Sequence, residues 1–272
     1  MTRAFAGLVL DRPLVMAIVN VTPDSFSDGG ERLDPARAID DGLRFVAEGA
    51  DILDVGGEST RPGSAAVSPE EECRRILPVV EGLARVGAVV SLDTRRALVA
   101  QAGLAAGARI VNDVSALRDD AAMLPLVARS KAAVVLMHRR GRPEERYAGP
   151  AYDDVVEDVR RFLLDRAAVC EAAGIDRQSV ALDPGLGFGK KVEEELALIA
   201  GTGRLAQAGY PVLIGCSRKS FIGRLTGVEK PADRDPASAF LAVEAVRRGA
   251  SIVRVHNVVA TRQALAVFEA MR

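Results

Sequence analysis

Short, continuous apolar runs of Val, Ile and Leu recur along the chain. Between them lie longer stretches in which apolar residues return every three or four positions. Runs that are apolar throughout, rather than alternating, predict strands buried on both faces of a parallel sheet. They fall at residues 14–20, 52–55, 89–93, 110–113, 133–137, 180–183, 212–215 and 252–255. Their starts span 238 residues in seven intervals, about 34 residues each, which is the length of one βα unit. The intervening stretches predict helices. In residues 152–173, Val155, Val159, Phe162, Leu163 and Arg166 form one stripe. Pro35 and Pro69 stand at predicted first turns, after the N-cap candidates Asp34 and Ser68. Gly49, Gly87, Gly107, Gly174, Gly209 and Gly249 fall just past helical stretches, where a left-handed cap is expected. No linker or low-complexity segment interrupts the series. Eight βα units predict one α/β domain over 1–272, a single (β/α)8 TIM barrel. The competing open doubly wound sheet lacks its G-x-G-x-x-G turn after the first strand.

Composition narrows the function classes. The 36 Lys plus Arg and 37 Asp plus Glu nearly cancel, which argues against a nucleic-acid-binding module. No uncharged run is long enough to cross a membrane, and Asp11, Arg12 and Pro13 break the early apolar stretches, so no signal peptide is read and a cytoplasmic protein is expected. Cys73, Cys170 and Cys216 form no C-x-x-C pair and no zinc signature. Only five of the 36 basic residues are Lys, so a Lys inside a motif points to a need for a compact ammonium.

In a barrel, the active site forms at the C-terminal ends of the strands. Polar residues gather there: Asn20 after the first run; Asp54, Glu58, Thr60 and Arg61 after the second; Asp93, Asn112 and Asp113; then His138 and Asp183; then Ser217 to Ser220; and finally Arg254, His256 and Asn257. Both histidines of the chain lie on this rim. The segment 20–30, which carries Asp24, Ser25, Phe26 and Ser27, reads as a binding loop or lid. In Gly56–Gly63, Arg61 suits a carboxylate or phosphate and Pro62 stiffens the turn. Asp93, Asn112 and Asp183 converge as acceptors with one donor pair, which suits a heterocycle edge bearing N–H groups; strand-end Asp residues can equally cap the next helix. Ser217, Arg218, Lys219 and Ser220 enter a helix and suit an anion. Arg254 and His256 share one side of their strand and suit a diphosphate. Asn20 is a candidate ligand for Mg2+ held jointly with substrate phosphates. The residues alone thus describe a barrel that binds a diphosphate beside an acceptor pocket.

The strings NVTPDSFSDGG (20–30), GGESTRPG (56–63), SLDT (91–94), NDVSAL (112–117), DPGLGFGK (183–190), GCSRKSFIG (215–223) and VRVHNV (253–258), in this order, resemble the dihydropteroate synthase family. The resemblance runs from about Leu14 to the C-terminus. It implies a folate-biosynthesis transferase, usually a homodimer, that condenses 7,8-dihydropterin-6-ylmethyl diphosphate with 4-aminobenzoate and is inhibited by sulfonamides. It further implies that Asp93, Asn112, Asp183 and Lys219 hold the pterin, with Met137, Gly215 and Arg254 lining its pocket. Asn20, Thr60, Ser217, Arg218, Arg254 and His256 would take diphosphate and Mg2+. Thr60, Arg61, Pro62, Phe188, Lys219 and Ser220 would take 4-aminobenzoate. Asp24 to Ser27 would form the lid. Asp93, Lys219, Arg254 and His256 would carry the catalysis.

Departures are confined to Met137–Gly141, Glu145–Ala148 and Lys191. Competing readings are an inactive pterin-binding paralogue, a pterin-dependent methyltransferase barrel, and a non-enzymatic folate carrier. The last leaves the charged rim unexplained.

Overall fold

The computed structural model describes residues 3–22, 34–58, 67–141 and 152–272. A short hairpin, β1 (Ala4–Phe5) and β2 (Leu8–Val9), opens the chain. The eight apolar runs then form β3 (Leu14–Asn20), β4 (Ile52–Gly56), β5 (Val90–Asp93), β6 (Ile110–Asp113), β7 (Ala133–Met137), β8 (Val180–Asp183), β9 (Leu213–Ile214) and β10 (Ile252–Val255). All pair in parallel in the order β8-β7-β6-β5-β4-β3-β10-β9. A bridge from Leu182 to Val212 joins the two ends and closes the barrel. The predicted seventh strand is thereby shortened to a two-residue ladder, with Val212 serving the neighbour on the other side.

The outer layer is α1 (Pro35–Ala47), α2 (Pro69–Arg85), α3 (Ala97–Ala105), α4 (Met123–Ser130), α5 (Val155–Ala172), α6 (Val192–Ala200), α7 (Thr202–Ala206), α8 (Ser220–Thr226), α9 (Asp235–Arg247) and α10 (Val258–Ala270). Local chemistry sets their starts. The Asp34 side chain accepts from Ala36 N–H at 2.9 Å, and Ser68 Oγ from Glu71 N–H at 3.2 Å. Asp154 caps α5 through Val156 and Glu157 N–H, so that helix begins at the first stripe residue, Val155, three residues after the start of the predicted segment 152–173. All six cap glycines have φ between +82° and +110°.

Strand alternation sorts the barrel residues into two sets. Val15, Leu53, Val55, Val90, Leu92, Val111, Val134 and Leu182 point outward and pack beneath the helices. Leu14, Met16, Ile52, Ile110, Val135, Leu213 and Ile252 point inward and form an apolar floor, and Phe5 of the hairpin plugs it from below. That hairpin was not expected, because two-residue strands leave no periodic trace. The next inward position on each strand lies one layer higher, at the C-terminal mouth.

Candidate active site

That upper inward layer carries Asp54 on β4, Asp93 on β5, Asn112 on β6, Met137 on β7, Asp183 on β8 and Arg254 on β10. Arg254 spans two carboxylates, donating from Nε to Asp54 at 2.6 Å and from a terminal nitrogen to Asp93 at 2.7 Å. Asn112 Nδ2 donates to the same Asp54 oxygen at 2.9 Å. The structure therefore brings Asp93, Asn112 and Arg254 together, and Asp54, to which the sequence assigns no role, joins them. Asp93 does not cap the next helix. Its neighbour Thr94 takes Arg96 N–H, and Asp120 takes Ala97 N–H.

The electrostatics follow from the apolar floor. Burial pushes the Asp93 carboxyl up to about 7, with Arg254 opposing the rise and Asp54 adding to it. Burial disfavours charge on Arg254 as well, but Asp54 and Asp93 outweigh it and its pKa is raised. Asp183 is raised by burial against the pull of Lys219, and Lys219 is lowered by burial against the pull of Asp183. Asp183 also accepts Gly185 N–H at 2.7 Å.

The loops after β8 and β9 build one wall. Lys219 Nζ lies 5.1 Å from the Phe188 ring centre and donates to the Leu186 carbonyl. Ser217 Oγ lies 3.0 Å from His256 Nδ1 and accepts His256 N–H. Gly215 faces Arg254, with the Arg254 Cβ 3.7 Å from where its own Cβ would stand. Ser220 is exposed at the start of α8, and Asn20 is exposed at the end of β3. Arg218 is placed differently from a free anion ligand. It has φ +59°, its N–H is taken by Ser238, and its guanidinium grips Asp235 through bonds of 2.6 and 2.8 Å. Lys219 N–H likewise returns to the Cys216 carbonyl. Thr60, Arg61, Pro62, Asp24, Ser25, Phe26 and Ser27 lie outside the described residues.

The two rim histidines part company. His256 points into the mouth, whereas His138 falls on the outward side of β7. There it meets Phe162 edge-on at 4.9 Å and Tyr152 at 6.1 Å. Burial, with Lys190, Arg140 and Arg118 nearby, lowers its pKa to about 2. Asp113 is also an outward residue and binds Ser115 and Leu117 N–H in a turn. A separate cavity of about 850 Å3 opens at the opposite face, lined by Phe5, Arg109 and Ser179 among others, remote from all these groups.

A parallel barrel with converging carboxylates, an amide, a fixed guanidinium and a lysine over an aromatic ring defines a (β/α)8 enzyme. Its mouth is suited to a polar ring and a departing anion. Comparison with known proteins gives it a family. The sequence pattern of the pterin binding enzymes matches residues 16–256. A dihydropteroate synthase from Neisseria meningitidis serogroup C is 49% identical over 265 residues, covering 96% of this chain and 94% of that protein. The solved Xanthomonas albilineans dihydropteroate synthase with 4-aminobenzoic acid is 48% identical, with a TM-score of 0.93 over 100% of this chain and 98% of that one. The same enzyme in complex with 7,8-dihydropteroate matches with a TM-score of 0.88 at 47% identity, covering 97% and 95%. The chain belongs to the pterin-binding enzymes and, among them, to the dihydropteroate synthases, transferases of folate biosynthesis.

Proposed function

We propose that the mouth condenses 7,8-dihydropterin-6-ylmethyl diphosphate with 4-aminobenzoate to give 7,8-dihydropteroate and diphosphate. The observation that carries this reading is the Asp54–Arg254–Asp93 bridge with Asn112 and Asp183 beside it. Acceptors above an apolar floor match the N–H edge of a pterin, and an ionised Asp93 offsets positive charge on the pterin methylene.

The carbon–oxygen bond to diphosphate breaks first, and its electron pair leaves with the diphosphate. Arg254 uses only two of its five N–H groups on Asp54 and Asp93, so it retains donors for that anion. His256 and Ser217 stand next to it and Thr60 completes the anion set, while Arg218 is tied to Asp235. The amine nitrogen of 4-aminobenzoate then forms the new carbon–nitrogen bond and releases its proton. Phe188, Lys219 and Ser220, with Arg61 and Pro62, hold this second substrate, and Asp24–Ser27 cover it. Met137 and Gly215 line the pterin pocket.

Asn20 offers a hard, neutral oxygen, and the described residues include no group of three His, Cys, Asp or Glu suited to a metal. That donor set fits Mg2+ shared with substrate phosphates. Asn20 would hold the ion, which when bound neutralises diphosphate charge.

We assign the active form as a homodimer. Leu225, Phe240, Val259, Val267 and Met271, on or next to α8 and α10 and on α9, are exposed large apolar residues, Phe240 at 68%. No helix among the described residues is long and apolar enough to cross a membrane, and the compartment assigned is the cytoplasm.

The test is diphosphate release from the pterin substrate with Mg2+, with and without 4-aminobenzoate, while dihydropteroate is followed by chromatography. Stoichiometric product that requires 4-aminobenzoate is expected. Pterin binding without product would instead indicate the inactive paralogue.

A further inference from the structure

We infer that Lys190, together with Glu195, is a positioning residue that fixes the glycine loop 184–190 in the shape presenting Phe188 and Lys219 to 4-aminobenzoate. This rests on the assignment of Phe188 and Lys219 to that substrate.

The loop needs an external clamp. Gly185, Gly187 and Gly189 have φ of +69°, +83° and +69°. Three left-handed glycines so close together leave the free loop many shapes and a large entropy to lose. Charged side chains take up its backbone polar groups in turn. Asp183 accepts Gly185 N–H at 2.7 Å. Lys190 Nζ donates to the carbonyls of Gly185 at 2.8 Å, Phe188 at 3.2 Å and His138 at 3.3 Å. Lys219 holds the Leu186 carbonyl. The Glu195 carboxylate, 1% exposed on α6, lies close enough for the Gly187 N–H to favour its charged form.

The third Lys190 contact crosses to the loop after β7. A Cβ on Gly185 would stand 1.9 Å from the His138 carbonyl oxygen, so the two loops touch there and Lys190 bridges the seam. One compact ammonium serves three carbonyls, which is a reason for Lys in a chain that otherwise uses Arg. Burial lowers the Lys190 pKa to about 7, against the pull of Asp183, and raises that of Glu195 to about 7, against the pull of Lys219. Both charges are thus held at a cost by groups that do not face the substrates.

The experiment compares Lys190→Met, Lys190→Arg and Phe188→Ala by steady-state kinetics. Amide hydrogen exchange of peptide 184–191 is measured alongside. Lys190→Met is expected to raise KM for 4-aminobenzoate about tenfold, with KM for the pterin diphosphate within about twofold. Exchange in the peptide should quicken at least about tenfold while strand amides keep their protection. Lys190→Arg should not restore KM, because a planar fork cannot aim three donors from one atom. If Lys190→Met does not fold, Glu195→Ala and its near-isostere Glu195→Gln carry the same comparison, with Gln expected to rescue. An unchanged 4-aminobenzoate KM in Lys190→Met, where Phe188→Ala raises it, overturns the inference. An unchanged KM in Phe188→Ala overturns the substrate assignment beneath it.

Discussion

Replacing Asp54 by Asn tests whether the buried bridge organises the site. Asp54 is fully buried, and one of its oxygens accepts from both Arg254 and Asn112. Asn retains an oxygen for those donors but removes the charge. Removing one partner of a buried ion pair costs about 3–5 kcal/mol. Asp93 still holds Arg254, so roughly half of that is expected. The other Asp54 oxygen has no partner among the described residues. An amide placed there adds a buried, unsatisfied donor worth about 1–3 kcal/mol. The total is about 4 kcal/mol, or a melting point lower by about 8–16 °C for a domain of this size. Arg254 would also lose its fixed aim, so kcat should fall about a hundredfold. Calorimetry and diphosphate release measure the two effects. Asp113→Asn is the control, since Asp113 is also a buried strand carboxylate but, among the described residues, binds the N–H groups of Ser115 and Leu117. It should lose stability and keep kcat. A melting point within 1 °C of the parent, together with kcat within about twofold, would refute the role given to Asp54.

Three further outcomes are expected. Asp93 acts as a carboxylate and its pKa is raised to about 7, so kcat/KM should climb with pH through about 7 and level off above; a flat profile from pH 5.5 to 9 would remove Asp93 from the chemistry. His138 has its folded pKa depressed from 6.5 to about 2, so below pH 6.5 the unfolded chain takes up a proton that the fold refuses. Stability from this residue is present above that pH and lost as pH falls, by about 2 kcal/mol at pH 5. His138→Leu should narrow the difference in urea stability between pH 7 and pH 5 by that amount, and an identical difference in both proteins would sink the argument. Phe240→Asp should yield monomers in sedimentation if α9 forms the dimer face, whereas a dimer of unchanged strength would place the interface elsewhere.

Much of the mouth was legible because a closed parallel barrel has one simple rule. Inward residues occupy every second position, and the last inward residue on each strand reaches the mouth. Counting back from Asp93 and Arg254 reaches Ser91 and Ile252 on the inner side, and counting from Ile52 reaches Asp54. The same count turns Asp113 and His138 outward. Asp54 was therefore within reach of the sequence, which names it among the rim residues but, because it stands two positions before its strand end, gives it no role. The clamp on Arg218 was not legible, because Asp235 lies 17 residues away on another helix and no local pattern announces it. Lys190 was hidden for a related reason. Its partners are backbone carbonyls, two of them in its own loop and one 52 residues distant, and carbonyls carry no sequence signature.

The placement of charge also explains the direction of the proposed reaction. Three carboxylates, Asp54, Asp93 and Asp183, form the layer directly above the apolar floor, and the cations Arg254 and Lys219 are tied into it. Counted as ionised groups, this layer has one negative charge in excess. The donors His256 and Ser217, and the engaged Arg218, belong to the loops and strand end on the β9–β10 side. A bond that breaks into a cation and an anion across these two regions leaves the cation against carboxylates and the anion against donors. In low dielectric, each interaction is stronger than it would be in water. The arrangement therefore favours charge separation along one axis, and it does so before 4-aminobenzoate reacts. A neutral amine needs no strong base at this stage, and the inward histidine of the mouth lies against Ser217 Oγ.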